Sequence, residues 1–183
     1  MSLNSSELEL LGKRFDTYIT HEEIKTVVKR LALKINQDYE GREVVLLGVL
    51  DGVVVFLADL MRELQIELSI ELIKLKSYSG TESTGSVKEF IGLSQSLENK
   101  HVLIVEDIID TGETLQYLLQ QLEKEQAGSV EIVTLLLKEE VFCEKFPIKY
   151  VGKKIENKFV LGFGMDFDGW GRQLPDIYAL KGQ

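Results

Sequence analysis

Hydrophobic and polar positions follow two rhythms along this chain. Ile24, Val27, Val28, Leu31 and Ile35 recur at helical spacing and make one apolar face. Thr20 and Glu23 stand just ahead of it at capping-box spacing, so a helix opens at Thr20, and Gly41 is a natural stop. Residues 44–50 are a continuous apolar run, the pattern of a strand buried on both faces. Asp51-Gly52 turns the chain, and residues 53–64 read as a helix through Phe56, Leu57, Leu60 and Met61. Ile66, Leu68, Ile70 and Leu72 alternate as a strand with one buried face; a phase slip at Leu72-Ile73 predicts a bulge. Residues 87–91 read as a returning strand and 101–105 as another buried one. A helix is predicted over 114–126, with Leu115, Leu118, Leu119 and Leu122 inward, then a strand over 130–137 ending at Lys138. Short strands and turns follow through 150–151 and 159–163. The first dozen residues carry no such signal.

Buried strands alternating with helices predict an α/β fold, a mostly parallel sheet flanked by helices. Ligands in such sheets bind beyond the carboxyl ends of the strands, so residues after Leu50, Val105 and Leu137 are the ones to inspect. The length of 183 residues suits one domain, and no apolar run approaches the roughly 20 residues that cross a bilayer. No signal peptide is visible, and the single Cys143 fits a reducing, cytoplasmic setting. With one Cys and two His, a zinc site is disfavoured. A net charge of −9 disfavours a broad grip on nucleic acid or an anionic membrane, yet leaves room for a local basic pocket and for carboxylates that work through Mg²⁺.

Residues 102–114, VLIVEDIIDTGET, concentrate the chemistry. A buried strand ends in Glu106 and Asp107, Asp110 follows, and Thr111-Gly112 leads into a helix. A helix start offers unpaired N–H groups to an anion, Gly112 permits close backbone approach to a phosphate, and Thr111 and Thr114 add hydroxyls. Acidic residues at a helix start also suit its dipole, which accounts for Asp110 and Glu113 but not for Glu106-Asp107 at a strand end. Neither GxxxxGKS/T nor GxGxxG is present. Residues 77–86, SYSGTESTGS, are small, polar and glycine-containing; they suit a solvated hairpin or a mobile lid.

The 102–114 segment resembles the 5-phosphoribosyl-1-pyrophosphate (PRPP) loop of the type I phosphoribosyltransferases. It is most similar to their hypoxanthine-guanine branch. Residues 48–52, 75–78, 137–138 and 158–172 extend the likeness in consistent order from about Thr20 to Leu180. The resemblance implies a single domain over 1–183, with a core at about 38–150, a small hood from about 1–20 and 151–183, and a flexible lid hairpin. It implies purine salvage: transfer of phosphoribose from PRPP to a 6-oxopurine, giving IMP or GMP and pyrophosphate, with Mg²⁺.

The implied roles follow the motif. Glu106 and Asp107 hold ribose hydroxyls and, with Asp166, the metal. Asp110 is the catalytic residue beside purine N7. Asp110, Thr111, Gly112, Glu113 and Thr114 wrap the 5′-phosphate. Ile108, Lys138, Phe159, Val160 and Met165 take the purine, Lys138 donating to O6, Phe159 stacking, and the Val160 backbone reading the edge. Asp51, Gly52, Ser77, Tyr78 and Arg172 face pyrophosphate, and the Leu50–Asp51 bond is expected to be a non-proline cis peptide. Asp51 departs from the family, where that position is often basic; its carboxylate cannot bind pyrophosphate, although backbone N–H groups still can. Without the resemblance, Lys138 reads as a surface lysine, Phe159 as core and Asp168 as a solvated turn carboxylate. Expected partners are PRPP and a 6-oxopurine, in a homo-oligomer without nucleic acid or membrane. Two alternatives stay open: a nucleotide-sensing regulator on the same fold, and a transferase for xanthine or a pyrimidine.

Overall fold

The computed structural model describes residues 2–3, 7–77 and 87–182, with side chains over 7–75 and 92–182. In chain order the elements are β1 (Ser2–Leu3), β2 (Glu7–Leu10), β3 (Lys13–Ile19), α1 (His21–Asp38), β4 (Val44–Leu50), α2 (Val54–Glu63), β5 (Leu68–Ser77), β6 (Val87–Ile91), β7 (His101–Ile109), α3 (Glu113–Leu122), β8 (Ser129–Lys138), a single turn α4 (Glu139–Phe142), β9 (Tyr150–Ile155), β10 (Val160–Leu161) and β11 (Ile177–Leu180).

The main sheet runs β6-β5-β4-β7-β8-β9. All its pairs are parallel except β5–β6 at the edge. The apolar run of β4 shows why its strands are buried on both faces. Val44 and Leu46 join the core under α1 and α2, while Val45, Leu47 and Val49 join the core under α3. Helix α1 begins as expected: Thr20 and Glu23 form a reciprocal capping box. Ile24, Val28, Leu31 and Ile35 are buried along its inner stripe.

Four readings of the pattern change. Strand β7 runs on past Val105 through Ile109, so Glu106 and Asp107 lie within it and not at its end. In β5 the opposite face is the enclosed one. Glu71 and Ile73 are 5% and 3% exposed, whereas Ile70 and Leu72 are 40% and 37% exposed. Helix α2 lies over β4 and β7 and leaves the outer side of β5 open. Buried Glu71 is satisfied by the Ser94 N–H and hydroxyl at 2.9 and 2.7 Å, which hold its carboxyl below the usual range. The ladder irregularity falls between Lys74 and Leu75, not at 72–73. Helix α3 stops at Leu122, short of 126; the chain then turns, with Gln126 at φ 54°.

Both ends of the chain build a second sheet, β1-β2-β3-β11-β10. Its core gathers Leu8, Leu10 and Phe15 with Leu161, Leu174 and Tyr178. This hood sits over the carboxyl ends of β4 and β7: a Cβ on Gly164 would overlap the carbonyl oxygen of Gly52. The expected lid lies in residues 77–86, of which 78–86, including Tyr78, are outside the described residues. Ser77 ends β5.

Candidate active site

Three strand ends and the hood enclose a cavity of about 340 Å³. It is lined by Gly52 after β4, Asp107 and Ile108 late in β7, Asp110 just after it, Lys138 at the end of β8, and Phe159, Val160, Met165, Asp166 and Arg172 from the hood. A smaller cavity of about 130 Å³ adjoins it through Ile108 and Asp110, and is lined by Glu106, Thr111, Gly112, Glu113 and Thr114 with Ile109 and Leu115. The residues that the sequence scattered over more than a hundred positions are thus gathered into two neighbouring spaces.

The smaller space lies at the start of α3. Gly112 caps α3 in the left-handed region at φ 76°, and no side chain caps the helix. The Glu113 N–H reaches Thr111 Oγ1 at 3.5 Å, and the helix start leaves further N–H donors without an intrahelical partner, with the positive end of the dipole behind them. A Cβ at Gly112 would press into the Phe142 ring, so the turn needs glycine for space as well as for φ. Glu113 is exposed, so its charge stands in solvent.

Glu106 and Asp107 are successive residues of one strand, point to opposite faces and line different cavities. Burial drives the Glu106 carboxyl well above its ordinary range, and Asp107 beside it adds to the effect. Burial likewise pushes Asp107 up to about 6, restrained by the Ile108 N–H at 3.0 Å and by nearby Arg172. Gly52 packs directly on this carboxylate: a Cβ there would overlap Asp107 Oδ2.

Lys138 is 8% exposed, not a surface lysine, and its Nζ lies 2.7 Å from Asp110 Oδ2. Phe159 is 36% exposed and packs edge-on against Phe167 with ring centroids 5.6 Å apart, so part of it opens to the cavity. Leu180 N–H donates to the Phe159 carbonyl at 3.0 Å. In an antiparallel ladder the next pair, Val160 with Ala179, is then the non-hydrogen-bonded one. Because β10 is the sheet edge, the Val160 N–H and C=O point outward.

Arg172 binds Asp166 at 2.8 Å and the Gly164 carbonyl at 2.7 Å, and Gly169 N–H donates to Asp166 at 2.7 Å. Asp168 is exposed at φ 50°, a turn residue. The Leu50–Asp51 peptide is cis, as the resemblance implies. Asp51 itself turns away from the cavity: both of its oxygens contact Lys74 Nζ, at 2.8 and 2.7 Å. Lys74 and Gly164 escaped the sequence reading. Gly164 was visible only as one glycine of GFG, and Lys74 only as a basic residue in a strand.

Among the described residues no cluster of three or more His, Cys, Asp or Glu could hold a metal alone. Of the three carboxylates expected to hold Mg²⁺, Asp107 and Asp166 share the larger cavity, whereas Glu106 lines the smaller one; Asp107 and Asp166 are the pair that could hold the ion. That ion favours one or two carboxylates, with substrate oxygens and water completing its shell.

Residues 15–168 match the family model described as phosphoribosyl transferase domain. A hypoxanthine-guanine phosphoribosyltransferase of Staphylococcus aureus is 41% identical over 167 residues, 91% of this chain and 93% of that protein. The enzyme of the same name from Staphylococcus epidermidis is 42% identical over 166 residues, 90% and 93% of the two chains. A crystal structure of a hypoxanthine phosphoribosyltransferase from S. aureus superposes with a TM-score of 0.86 at 41% identity, covering 91% of each chain. The chain belongs to the phosphoribosyltransferase family, in its hypoxanthine-guanine branch.

Proposed function

We propose that the chain transfers the phosphoribosyl group of PRPP to the N9 nitrogen of hypoxanthine or guanine, releasing pyrophosphate, as a purine-salvage enzyme. The observation that carries the base assignment is the Lys138–Asp110 pair beside Phe159 and the outward edge of Val160. A 6-oxopurine presents an O6 acceptor next to N7–H. Lys138 donates to O6 and Asp110 accepts from N7–H, so one planar edge takes both partners of the existing pair. Phe159 covers a face of the ring, Val160 reads the pyrimidine edge through its backbone, and Ile108 and Met165 close the sides.

The uncapped start of α3 holds the 5′-phosphate through its N–H groups, with the Thr111 and Thr114 hydroxyls beside them. Glu106 and Asp107 accept from ribose hydroxyls and place negative charge near the cation-like C1′ of the transition state. Gly52 and Arg172 line the pyrophosphate end; Ser77 and Tyr78 are assigned to it by the family resemblance, and Tyr78 lies outside the described residues. Asp107 and Asp166 would hold Mg²⁺, which would supply positive charge against the departing pyrophosphate. As N9 bonds to C1′, the proton at N7 becomes acidic and Asp110 receives it.

The free thiol of Cys143 suits a reducing cytoplasm, where this reaction finds its substrates. No helix among the described residues is long and apolar enough to cross a membrane. The exposed Ile70 and Leu72 favour a homo-oligomer that covers them. A spectrophotometric assay with PRPP, Mg²⁺ and each of hypoxanthine, guanine, xanthine and adenine tests the reading. Hypoxanthine or guanine should be converted and adenine refused; turnover of adenine, or of no base at all, would overturn it.

A further inference from the structure

The loop after β4 is where the proposed function seats pyrophosphate, and it carries a carboxylate, Asp51, next to Gly52. A carboxylate beside a site for a multiply charged anion repels the ligand unless something neutralises it. Lys74 lies across from that loop, because the parallel register of β4 and β5 sets it opposite Leu50. Its ammonium contacts both Asp51 oxygens, at 2.8 and 2.7 Å, and the two side chains are 38% and 48% exposed. An exposed pair of this kind contributes little to stability. Its consequence is electrostatic: it removes a net negative charge from the pyrophosphate loop and holds the carboxylate off the backbone N–H groups.

We propose that Lys74 is a positioning residue for PRPP, acting through Asp51: it supplies the positive charge that the loop's own side chain lacks. The inference rests on the assignment of residues 51–52 to pyrophosphate. Lys74→Met leaves Asp51 unscreened and should raise KM for PRPP on the order of tenfold, with kcat within about twofold. The dissociation constant of Mg-pyrophosphate, measured calorimetrically, should rise in parallel. Adding Asp51→Asn to Lys74→Met should restore most of the loss, and Lys74→Arg alone should keep wild-type values. Exchange of the two charges, Asp51→Lys with Lys74→Asp, should also restore binding. A Lys74→Met enzyme with wild-type KM would overturn the inference. So would a defect that Asp51→Asn fails to relieve, since that marks a direct grip on the ligand or a folding role. A wild-type protein that binds no Mg-PRPP would instead defeat the functional reading itself.

Discussion

Lys138 and Asp110 are bonded to each other, Nζ to Oδ2 at 2.7 Å. The lysine side chain is only 10% exposed and the aspartate 50%, so the pair spans the boundary between the sheet end and the cavity. A buried ammonium needs an acceptor, and Asp110 provides it. On the proposed function, this contact sets the donor to O6 beside the acceptor from N7, and a bound base would take one bond from each.

Asp110→Asn tests the proton-accepting half. The amide still accepts from Lys138 but cannot take a proton from N7. Turnover should fall by about 10²–10⁴-fold, the usual range for a general base, while KM for PRPP changes far less. Steady-state kinetics with hypoxanthine give both constants. Turnover near wild type would assign the N7 proton to water or to another group.

Lys138→Ala tests the recognition half. It should lower kcat/KM for hypoxanthine by about 10²-fold or more, because a site built to donate to an oxygen loses its bond when the donor is removed. Melting temperature should move little: the Asp110 left behind is half exposed and can be hydrated. Unchanged kinetics with hypoxanthine would remove Lys138 from the base site, whereas a large drop in melting temperature would point to a structural role.

The sequence shows the main sheet because β4, β7 and β8 are long apolar runs, and shows the smaller cavity at the start of α3 because its residues are nearly contiguous in 106–115. The hood strands at the N-terminus were less legible. Leu8 and Leu10 alternate, but Phe15 and Ile19 stand four apart in a strand crowded with charged and polar residues, and Phe15 and Ile19 pair with β11 some 160 residues away. In β5 the local alternation misled, since what decides burial is how far α2 reaches across the sheet. The Asp51–Lys74 contact needs the β4–β5 register, and the outward edge of Val160 needs the β10–β11 ladder. Neither long-range alignment is written in the spacing of one strand.

Asp107 predicts a pH dependence of stability. Its pKa in the folded protein is about 6, against an ordinary value near 4, so the folded state binds its proton more tightly than the unfolded one. The stability tied to this group is therefore complete below about pH 4 and is lost as pH rises through about 6. The loss is on the order of 2–3 kcal/mol. With chelator present, Asp107→Asn should melt above wild type at pH 8, and the difference should shrink toward pH 5. Removing the Asp107 charge also relaxes part of the Glu106 shift, while its larger cause, burial, is common to both proteins. The same variant should lose most transferase activity, since a neutral amide is a poor partner for ribose hydroxyls and magnesium. Equal melting curves across this pH range would show that Asp107 is not held at a desolvation cost.

Gly52→Ala isolates a contact that joins the loop after β4 to β7. The backbone at Gly52 does not have a positive φ, so alanine is conformationally allowed there. The obstacle is space alone: the added Cβ would overlap Asp107 Oδ2. One of the two must move, and the carboxylate is the softer partner, because the Gly52 carbonyl is already pressed against Gly164. The variant should lose about 1–3 kcal/mol of stability from overpacking. Its kcat/KM for PRPP should fall by about 10²-fold, the scale expected when a reacting group is displaced by an ångström. Gly41→Ala is the matched control. Gly41 sits at φ 70° with nothing within 4 Å of its Cβ position, so it should cost about 1 kcal/mol through backbone strain and leave the kinetics unchanged. A crystal structure of Gly52→Ala should show the Asp107 carboxylate rotated away from the loop. Wild-type PRPP kinetics in that variant would mean that the position of Asp107 against Gly52 is not needed for catalysis.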